Sequence, residues 1–325
     1  MKLKKIKRIV AVGTAILMTL SLAGCGIGGN SVKLGAAGVG GGYYAFSNAF
    51  AQIASSEDED LDFEVKATAG STANIRLLSD GYVDMAIAQA DLVDAAYNGT
   101  GATDKKRYRG YSAVASLYTE ACQIVVRSDS GIDSLDDLQG KKISVGEEES
   151  GTQRNAEQIL KMTGLVESLV DTVNLDYVDA ANELKSGQID AFFCTAGIQT
   201  SVIEELSKEC DVKLIGIDDK CRDRLKSVYG FYTDYTIPAG TYEGQTQDVV
   251  TLGVRAVLLA RDDMDEKIVE ELTGLLFEHA QDIQYSIALT FQIDESEAVK
   301  NVTIPFHDGA KAYYQKKGIE IPAEQ

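Results

Sequence analysis

The sequence contains no tryptophan and has only three prolines and two histidines among its 325 residues. With so few histidines, neither a zinc centre nor a histidine-based catalytic triad is well supported. The scarcity of proline argues against proline-rich linkers, whereas 30 glycines indicate tight turns between regular elements. Hydrophobic residues make up 45% of the chain, which provides enough apolar material for a core and excludes wholesale disorder.

Positive charge is scarce as well. The 31 Lys and Arg residues are outnumbered by 50 Asp and Glu residues, which gives a net charge of −19. A surface of this sign repels phosphate backbones, so we do not expect nucleic-acid binding. The length corresponds to about two domains, because domains commonly hold about 100–200 residues.

The N-terminus has the pattern of a lipoprotein signal. Residues 1–8 are basic, and residues 9–23 form an uncharged, mostly apolar run that is shorter than the roughly 20 residues of a transmembrane helix. The run ends in the motif LAGC, in which Cys25 is the residue to be acylated. The sequence therefore predicts a signal peptide over 1–24 and a lipid-anchored linker over 25–31. The mature protein is expected on the outer face of the cytoplasmic membrane.

Four cysteines remain beyond the predicted cleavage site. Cys122 and Cys194 lie in apolar runs, which favours buried side chains that act as small hydrophobes. Cys210 and Cys221 flank a strand-like segment and are either partners of a disulfide outside the cell or free thiols. Because no CxxC or Cys/His spacing is present, we expect neither a metal site nor a cofactor.

Strand and helix patterns alternate along the chain, which predicts an α/β fold with a mainly parallel sheet. Residues 111–117 and 123–127 are predicted as two separate strands. A strand–glycine loop–helix unit over 32–54 recurs at 142–164, which indicates two similar lobes. In such sheets ligands bind at the carboxyl ends of the strands. We therefore expect a two-lobed architecture with a ligand cleft between the lobes.

The glycine loop at residues 38–42 is the first candidate ligand site. Glycines let backbone N–H groups approach a ligand, and the helix that follows favours an anion at its N-terminus. The spacing does not match a dinucleotide-binding fingerprint and lacks the lysine of a phosphate-binding loop. The loop either binds a small solute or only allows close packing of helix on strand. The candidate binding residues here are Gly41, Gly42, Tyr43 and Tyr44.

Further candidates lie where other predicted strands end. The loop at 70–74 offers two hydroxyls and an amide, although helix capping explains one hydroxyl equally well. Three glutamates at 147–149 precede another hydroxyl-bearing loop, so they either face solvent or accept a ligand with a cationic group. Arg76 and Arg154 are each either a carboxylate clamp or a solvated helix residue. The candidates are Ser71, Thr72, Asn74, Gln89, Asp91, Ser150, Gly151, Thr152, Thr195 and Gly197.

No spacing in the chain identifies a nucleophile paired with a base. We interpret His307 as a residue that orders the turn before the last helix. The candidate loops therefore indicate binding of a small molecule, and we do not expect an enzyme.

The ordered loops resemble the TAXI-type substrate receptors of TRAP transporters. Each motif is weak alone, but together they run in the family's order over nearly the whole mature chain. One departure is the run of glutamates at 147–149, which argues against a doubly anionic ligand, and Cys194 is another. The matching segments are residues 38–44, AGSTANIRLL (69–78), DMAIAQAD (84–91), SLYTE (116–120), LQGKKISVG (138–146), 150–152, GQIDAFF (187–193), IPAGTY (237–242) and PFHDGAKAYY (305–314).

This resemblance implies a type II periplasmic-binding-protein fold whose lobes close on a small organic acid or an acidic amino acid such as glutamate. The receptor would deliver that solute to a TRAP membrane permease, which uses an ion gradient rather than ATP. We expect lobe 1 over 32–119 plus 237–325 and lobe 2 over 120–236, with hinges near 118–122 and 231–236. Two alternatives remain, namely a surface lipoprotein that senses a solute and an enzyme on the same scaffold.

Overall fold

The computed structural model describes residues 30–58, 61–101, 105–166, 168–287 and 293–322. The predicted signal peptide and the acylated Cys25 lie outside the described residues. The first strand begins at Asn30, within the predicted linker. None of the helices in the described ranges is long and apolar enough to cross a membrane.

Strands and helices alternate, as the sequence predicts. The strands are β1 (Asn30–Gly35), β2 (Leu61–Lys66), β3 (Met85–Gln89), β4 (Tyr111–Arg127), β5 (Lys142–Ser144), β6 (Asp171–Val173), β7 (Ala191–Ala196), β8 (Val212–Leu214), β9 (Thr233–Ile237) and β10 (Val249–Arg261). The α-helices are α1 (Gly42–Glu57), α2 (Ser71–Ser79), α3 (Ala90–Asn98), α4 (Gly151–Thr163), α5 (Tyr177–Ser186), α6 (Ser201–Glu209), α7 (Asp219–Val228), α8 (Glu266–Glu278), α9 (Ala280–Ser286) and α10 (Asp308–Lys317). A short 3-10 helix covers Leu135–Leu138.

The strands form one mixed sheet in the order β2-β1-β3-β10-β4-β7-β5-β6, with β9 paired to β10 and β8 to β4. Strands β2-β1-β3 are parallel and end against the antiparallel β10. Strands β6-β5-β7 are also parallel and end against the antiparallel β4. We call the elements around β1–β3 the first half and those around β5–β8 the second half. Each half repeats one strand order, as the recurring sequence unit indicates, but the two long strands make the sheet mixed rather than mainly parallel.

Strand β4 corrects the prediction of two separate strands. It runs unbroken over 17 residues, because the stretch between the two predicted strands pairs with β10 on one side and with β7 on the other. The predicted hinge at 118–122 therefore lies inside a hydrogen-bonded strand. The register of β4 against β10 is irregular between Arg255 and Val257, beside this stretch.

Each of the two long strands contributes residues to two separate hydrophobic cores, one in each half. Tyr118 on β4 packs in the core of the first half, and Cys122 packs in the core of the second half. On β10 the change falls between Val254 and Ala256. Tyr242 also packs in the second half, although the sequence prediction assigned it to lobe 1.

Candidate functional site

A pocket of about 40 Å³ lies where loops of the first half meet loops of the second half. This volume holds about three water molecules, since one needs roughly 10–15 Å³ of such space. The halves therefore stand close together around a small hollow that polar and apolar groups both line. It is lined by Ala37, Gly38, Gly41, Gly42, Tyr43, Ala69, Gly70, Ser71, Gln89, Glu120, Glu147, Ser150, Gly151, Thr152, Leu175, Asp176, Tyr177 and Thr195.

The loop between β1 and α1 lines the pocket without a side-chain cap. Gly41 is the N-cap residue of α1, and no described side chain accepts a hydrogen bond from the first turn of this helix. The N–H groups of that turn are therefore suited to an anionic group. A Cβ atom on Gly41 would lie 3.1 Å from Cε2 of Tyr177, which belongs to the second half. Glycine at this position lets the two halves approach each other.

The start of α4 supplies the opposite wall. The Ser150 hydroxyl caps this helix by accepting a hydrogen bond from the Gln153 N–H at 2.9 Å. Gly151 follows, and a Cβ atom there would lie 2.5 Å from Cδ of Gln89 in the first half. The glycine in this motif is therefore required by a contact between the halves.

Glu120 is a pocket residue that the sequence prediction missed. Its carboxyl group is only 3% exposed and accepts a hydrogen bond from the Tyr43 hydroxyl at 2.6 Å. Burial raises the pKa of Glu120 to about 8, with the hydrogen bond from Tyr43 acting in the opposite direction. Without a bound partner this carboxyl therefore keeps its proton at neutral pH. The sequence feature that could have identified Glu120 is a single acidic residue within a long apolar strand pattern.

A chain of side-chain hydrogen bonds, which begins at the pocket residue Gln89, joins the halves. The Gln89 Nε2 group donates to Oδ1 of Asn155 at 3.0 Å, and the Asn155 amide donates to the Tyr232 hydroxyl at 2.7 Å. Gln89 is only 2% exposed, and its Oε1 atom has no hydrogen-bond partner among the described residues. A buried acceptor of this kind, at a pocket wall, is suited to a donor from a ligand.

Hydroxyl groups of the second half form a separate cluster at the pocket. The Thr152 hydroxyl and the Tyr177 hydroxyl are 2.6 Å apart, and the Tyr177 hydroxyl also donates to the Thr195 carbonyl at 3.1 Å. The Thr195 N–H donates to the Thr152 hydroxyl at 3.1 Å. These bonds fix the starts of α4 and α5 relative to the end of β7.

A second set of contacts, which we call the Glu149 contact, closes the halves beside the pocket. The Glu149 carbonyl accepts hydrogen bonds from the N–H groups of Thr72 at 3.0 Å and Ala73 at 3.2 Å. The Glu149 carboxylate pairs with Arg76 at 2.6 Å. Glu149 adopts a left-handed backbone conformation with φ 63°, which few residues with a side chain adopt. Arg76 therefore holds a protein carboxylate and not a ligand.

A larger neighbouring cavity of about 670 Å³ lies on the other side of the Glu149 contact. Ser150 borders both spaces. Arg76, Asp91 and Arg154 line this neighbouring cavity, and burial raises the pKa of Asp91 to about 6.

The charges of the pocket are all of one sign. Besides Glu120, it is lined by Glu147 and Asp176, and no described lysine or arginine lines it. Burial, together with the nearby Asp176, raises the pKa of Glu147. Asp176 is half-buried and caps helix α5 by accepting a hydrogen bond from the Asp179 N–H.

The structure brings most of the predicted site residues together at the pocket. Those that line it are Gly41, Gly42, Tyr43, Ser71, Gln89, Ser150, Gly151, Thr152 and Thr195. Those that do not line it are Tyr44, Thr72, Asn74, Asp91 and Gly197.

The residues outside the pocket have other contacts. The Asn74 amide donates to the carbonyl of Ile87 at 2.8 Å and to that of Ala36, so it ties the middle of β3 to the end of β1. Thr72 belongs to the Glu149 contact, and Asp91 faces the neighbouring cavity. The Gly197 carbonyl accepts a hydrogen bond from the Thr200 hydroxyl. The Tyr44 carbonyl accepts one from Asn48.

The positions of the cysteines and of His307 agree with the sequence analysis. Cys122 and Cys194 are buried, as predicted, and burial raises the pKa of the Cys122 thiol to about 12. Cys210 and Cys221 are both free thiols. The prediction for His307 is confirmed, because its ring accepts a hydrogen bond from the Gly309 N–H and caps the last helix.

Comparison with solved structures identifies the class of fold. The chain is similar to a protein from Bordetella bronchiseptica RB50, with 18% identity over 91% of this chain and 84% of that chain and a TM-score of 0.53. It is also similar to a putative L-cystine ABC transporter from Listeria monocytogenes, with 14% identity over 79% of this chain and 94% of that chain and a TM-score of 0.50. The predicted two-lobed α/β fold of type II periplasmic-binding proteins is confirmed.

Comparison with models of protein families assigns the chain to one family within this fold class. The model of the NMT1-like family matches residues 34–318, which include all the pocket-lining loops. The chain belongs to the NMT1-like family.

Proposed function

We propose that the protein is an extracytoplasmic solute-binding receptor, which captures a small solute between its halves and delivers it to a membrane permease. The observation that supports this most directly is the convergence of loops from both halves on one small pocket. Its lining of glycines, hydroxyls and amides is suited to holding a small molecule, and no nucleophile paired with a base is apparent among the lining residues.

Binding would act by shifting an equilibrium between open and closed arrangements. The described arrangement is closed, because Gln89 contacts Asn155 and the Ser201 hydroxyl donates to the Gly40 carbonyl at 3.2 Å. A solute that touches both halves stabilises this arrangement, since only a contact specific to one state shifts the balance. We place the lobe crossings in the middle of β4 and of β10, where the hydrophobic core changes.

The delivery partner that we propose is the permease of a TRAP transporter, which the ordered motifs of the sequence resemble. The solute class that goes with it is a small organic acid or an amino acid. The lipid anchor predicted at Cys25 would hold the receptor at the outer face of the cytoplasmic membrane. The Listeria neighbour is described as part of an ABC transporter, so an ATP-driven partner is the alternative that a test must separate.

A thermal-shift screen of the purified full-length protein tests the binding step. A ligand that binds only the native state raises the melting temperature, by RT ln(1 + [L]/Kd) in unfolding free energy. Because the chain has no tryptophan, the transition is followed with a dye or by tyrosine emission. A saturable shift without turnover of the solute is the expected result, whereas chemical conversion of the solute would favour the enzyme alternative.

Reconstitution tests the delivery step. Vesicles containing the cognate permease are supplied with the receptor, the solute and an imposed sodium gradient, with ATP absent. Uptake that requires both receptor and gradient is expected. Uptake that requires ATP hydrolysis would contradict the TRAP proposal and leave the receptor role intact.

A further inference from the structure

We infer that the pocket recognises a solute through a positively charged ammonium group, so that amino acids or small amines bind in preference to plain carboxylic acids. This inference deepens the proposed receptor function and rests on it. It identifies Glu120 and Gln89 as the residues that accept hydrogen bonds from the ligand.

Two buried acceptors at the pocket carry the inference. The Gln89 Oε1 atom is buried at a pocket wall and has no hydrogen-bond partner within the described residues. The Glu120 carboxyl lies in the same pocket and is held in place by the Tyr43 hydroxyl. An ammonium group offers three donors to such acceptors, whereas a carboxylate offers none. A ligand donor here would satisfy a buried amide oxygen that otherwise carries a desolvation penalty.

The acidic character of the side chains that line the pocket also favours an ammonium group. Glu120, Glu147 and Asp176 line it, and within the described ranges no lysine or arginine does. The one arginine in the nearby Glu149 contact is already paired with that carboxylate. A dicarboxylate without an ammonium group would enter a small, poorly solvated space in which no lining side chain carries a positive charge to offset its own.

A single carboxylate on the same ligand remains compatible with this arrangement. The first turn of α1 presents N–H groups without a side-chain cap at the pocket wall formed by Gly41 and Gly42. A helix N-terminus stabilises an anion without a charged side chain. A zwitterion can therefore place its ammonium at Glu120 and its carboxylate at α1.

The inference predicts a rise of affinity with pH. Burial raises the pKa of Glu120 to about 8, so a bound ammonium must displace the carboxyl proton at neutral pH. Affinity should then rise by up to about tenfold per pH unit below pH 8 and level off above it. Of the groups that act on Glu120, only Asp91, with a pKa of about 6, titrates near this range, and it is ionised before Glu120. The other titratable groups coupled to Glu120 are Tyr43, Tyr118, Cys122, Tyr177 and Cys194.

The experiment uses matched sets of three related compounds. Each set holds an amino acid, the acid that lacks its amine and the amine that lacks its α-carboxylate, such as glycine, acetate and methylamine, or glutamate, glutarate and 4-aminobutyrate. Isothermal titration of the full-length protein in two buffers of different ionisation enthalpy gives both the affinity and the protons exchanged. We expect binding only by compounds with an amine, and proton release at pH 7.

A variant separates the charge of Glu120 from its size. Glu120→Gln matches the shape of the protonated carboxyl, so we expect an unchanged melting temperature, at least a tenfold loss of affinity for amines and a flat pH profile. Glu148→Gln removes a carboxyl group from an exposed position on the neighbouring loop. It should change neither the affinity for amines nor the pH profile. If Glu120→Gln fails to fold, the pH profile and proton release of the unaltered protein decide the question.

The possible outcomes separate the inference from the receptor function. Acids that bind as tightly as their matched amino acids, or affinity that falls as pH rises, would overturn the ammonium inference and leave the receptor intact. Saturable binding by none of the compounds would overturn the receptor function, and the inference with it.

Discussion

The pocket and the neighbouring cavity meet at Ser150 but differ in charge and in what surrounds them. The pocket has only acidic charged residues, and its walls are glycines, hydroxyls and amides. The neighbouring cavity is lined by residues of both signs, including Arg76 and Asp91. Between them, the Glu149 contact joins the halves without using any side chain that lines the pocket. This difference implies that solute recognition and closure of the halves can be altered separately.

The largest expected effect comes from filling the space between the halves at the pocket. Gly151→Ala places a methyl group 2.5 Å from Cδ of Gln89, which cannot move without losing its bond to Asn155. We expect ligand affinity to fall about a hundredfold, or about 3 kcal/mol, because the closed arrangement no longer forms. Titration calorimetry measures this loss.

Gly230→Ala is the matched control, because Gly230 borders the neighbouring cavity and its added methyl group meets open space. Unchanged affinity in Gly151→Ala would show that the two halves do not need this close approach for binding.

An intermediate effect, on stability rather than binding, is expected at Asn74. The variant Asn74→Ala leaves the buried Ile87 carbonyl without its side-chain donor. It also removes the amide oxygen that accepts a hydrogen bond from the Thr68 hydroxyl. The Ala36 carbonyl keeps Thr68 as a donor. We expect a loss of about 2 kcal/mol in the free energy of unfolding, since an unsatisfied buried polar group costs about 1–3 kcal/mol. Urea denaturation measures it.

Asn48→Ala serves as the control, because Asn48 is exposed and bonds only within its own helix. A lost ligand response in Asn74→Ala with unchanged stability would instead return Asn74 to the binding site.

The smallest effect is expected from the ion pair of the Glu149 contact. Arg76→Gln removes the charge partner of Glu149 but leaves the bonds to its carbonyl in place. Both side chains are about 40% exposed, so the pair contributes less than about 1 kcal/mol and affinity should fall less than about fivefold. Calorimetry at low and high salt tests this, because salt should abolish the difference between variant and parent. A larger loss that salt leaves unchanged would contradict this interpretation.

The sequence predicted the parts of the site that depend on local pattern. Glycines and hydroxyls between a strand and a helix indicated the loops at Gly41, Ser71 and Gly151, because helix starts and close backbone approaches require those residue types. The recurring strand–loop–helix unit indicated two similar halves, and each half does repeat one strand order.

The parts that depend on long-range pairing could not be predicted in this way. Asn74 resembles a ligand-binding amide in sequence, but its partners are carbonyls of strands distant along the chain. Glu120 lies in a strand that pairs with β10 on one side and β7 on the other, and its burial depends on segments distant in the sequence. Its raised pKa therefore has no local signature. The same pairing makes β4 continuous where the local pattern suggested a break.

The irregular register of β10 against β4 near Arg255 has a consequence for how the halves separate. An extra residue on one strand increases local twist and allows bending while the flanking hydrogen bonds persist. The protein would then open by bending the continuous two-stranded ribbon of β4 and β10, and not by rotation about two flexible loops. Such a ribbon would return the rims of the pocket to the same alignment each time the halves close.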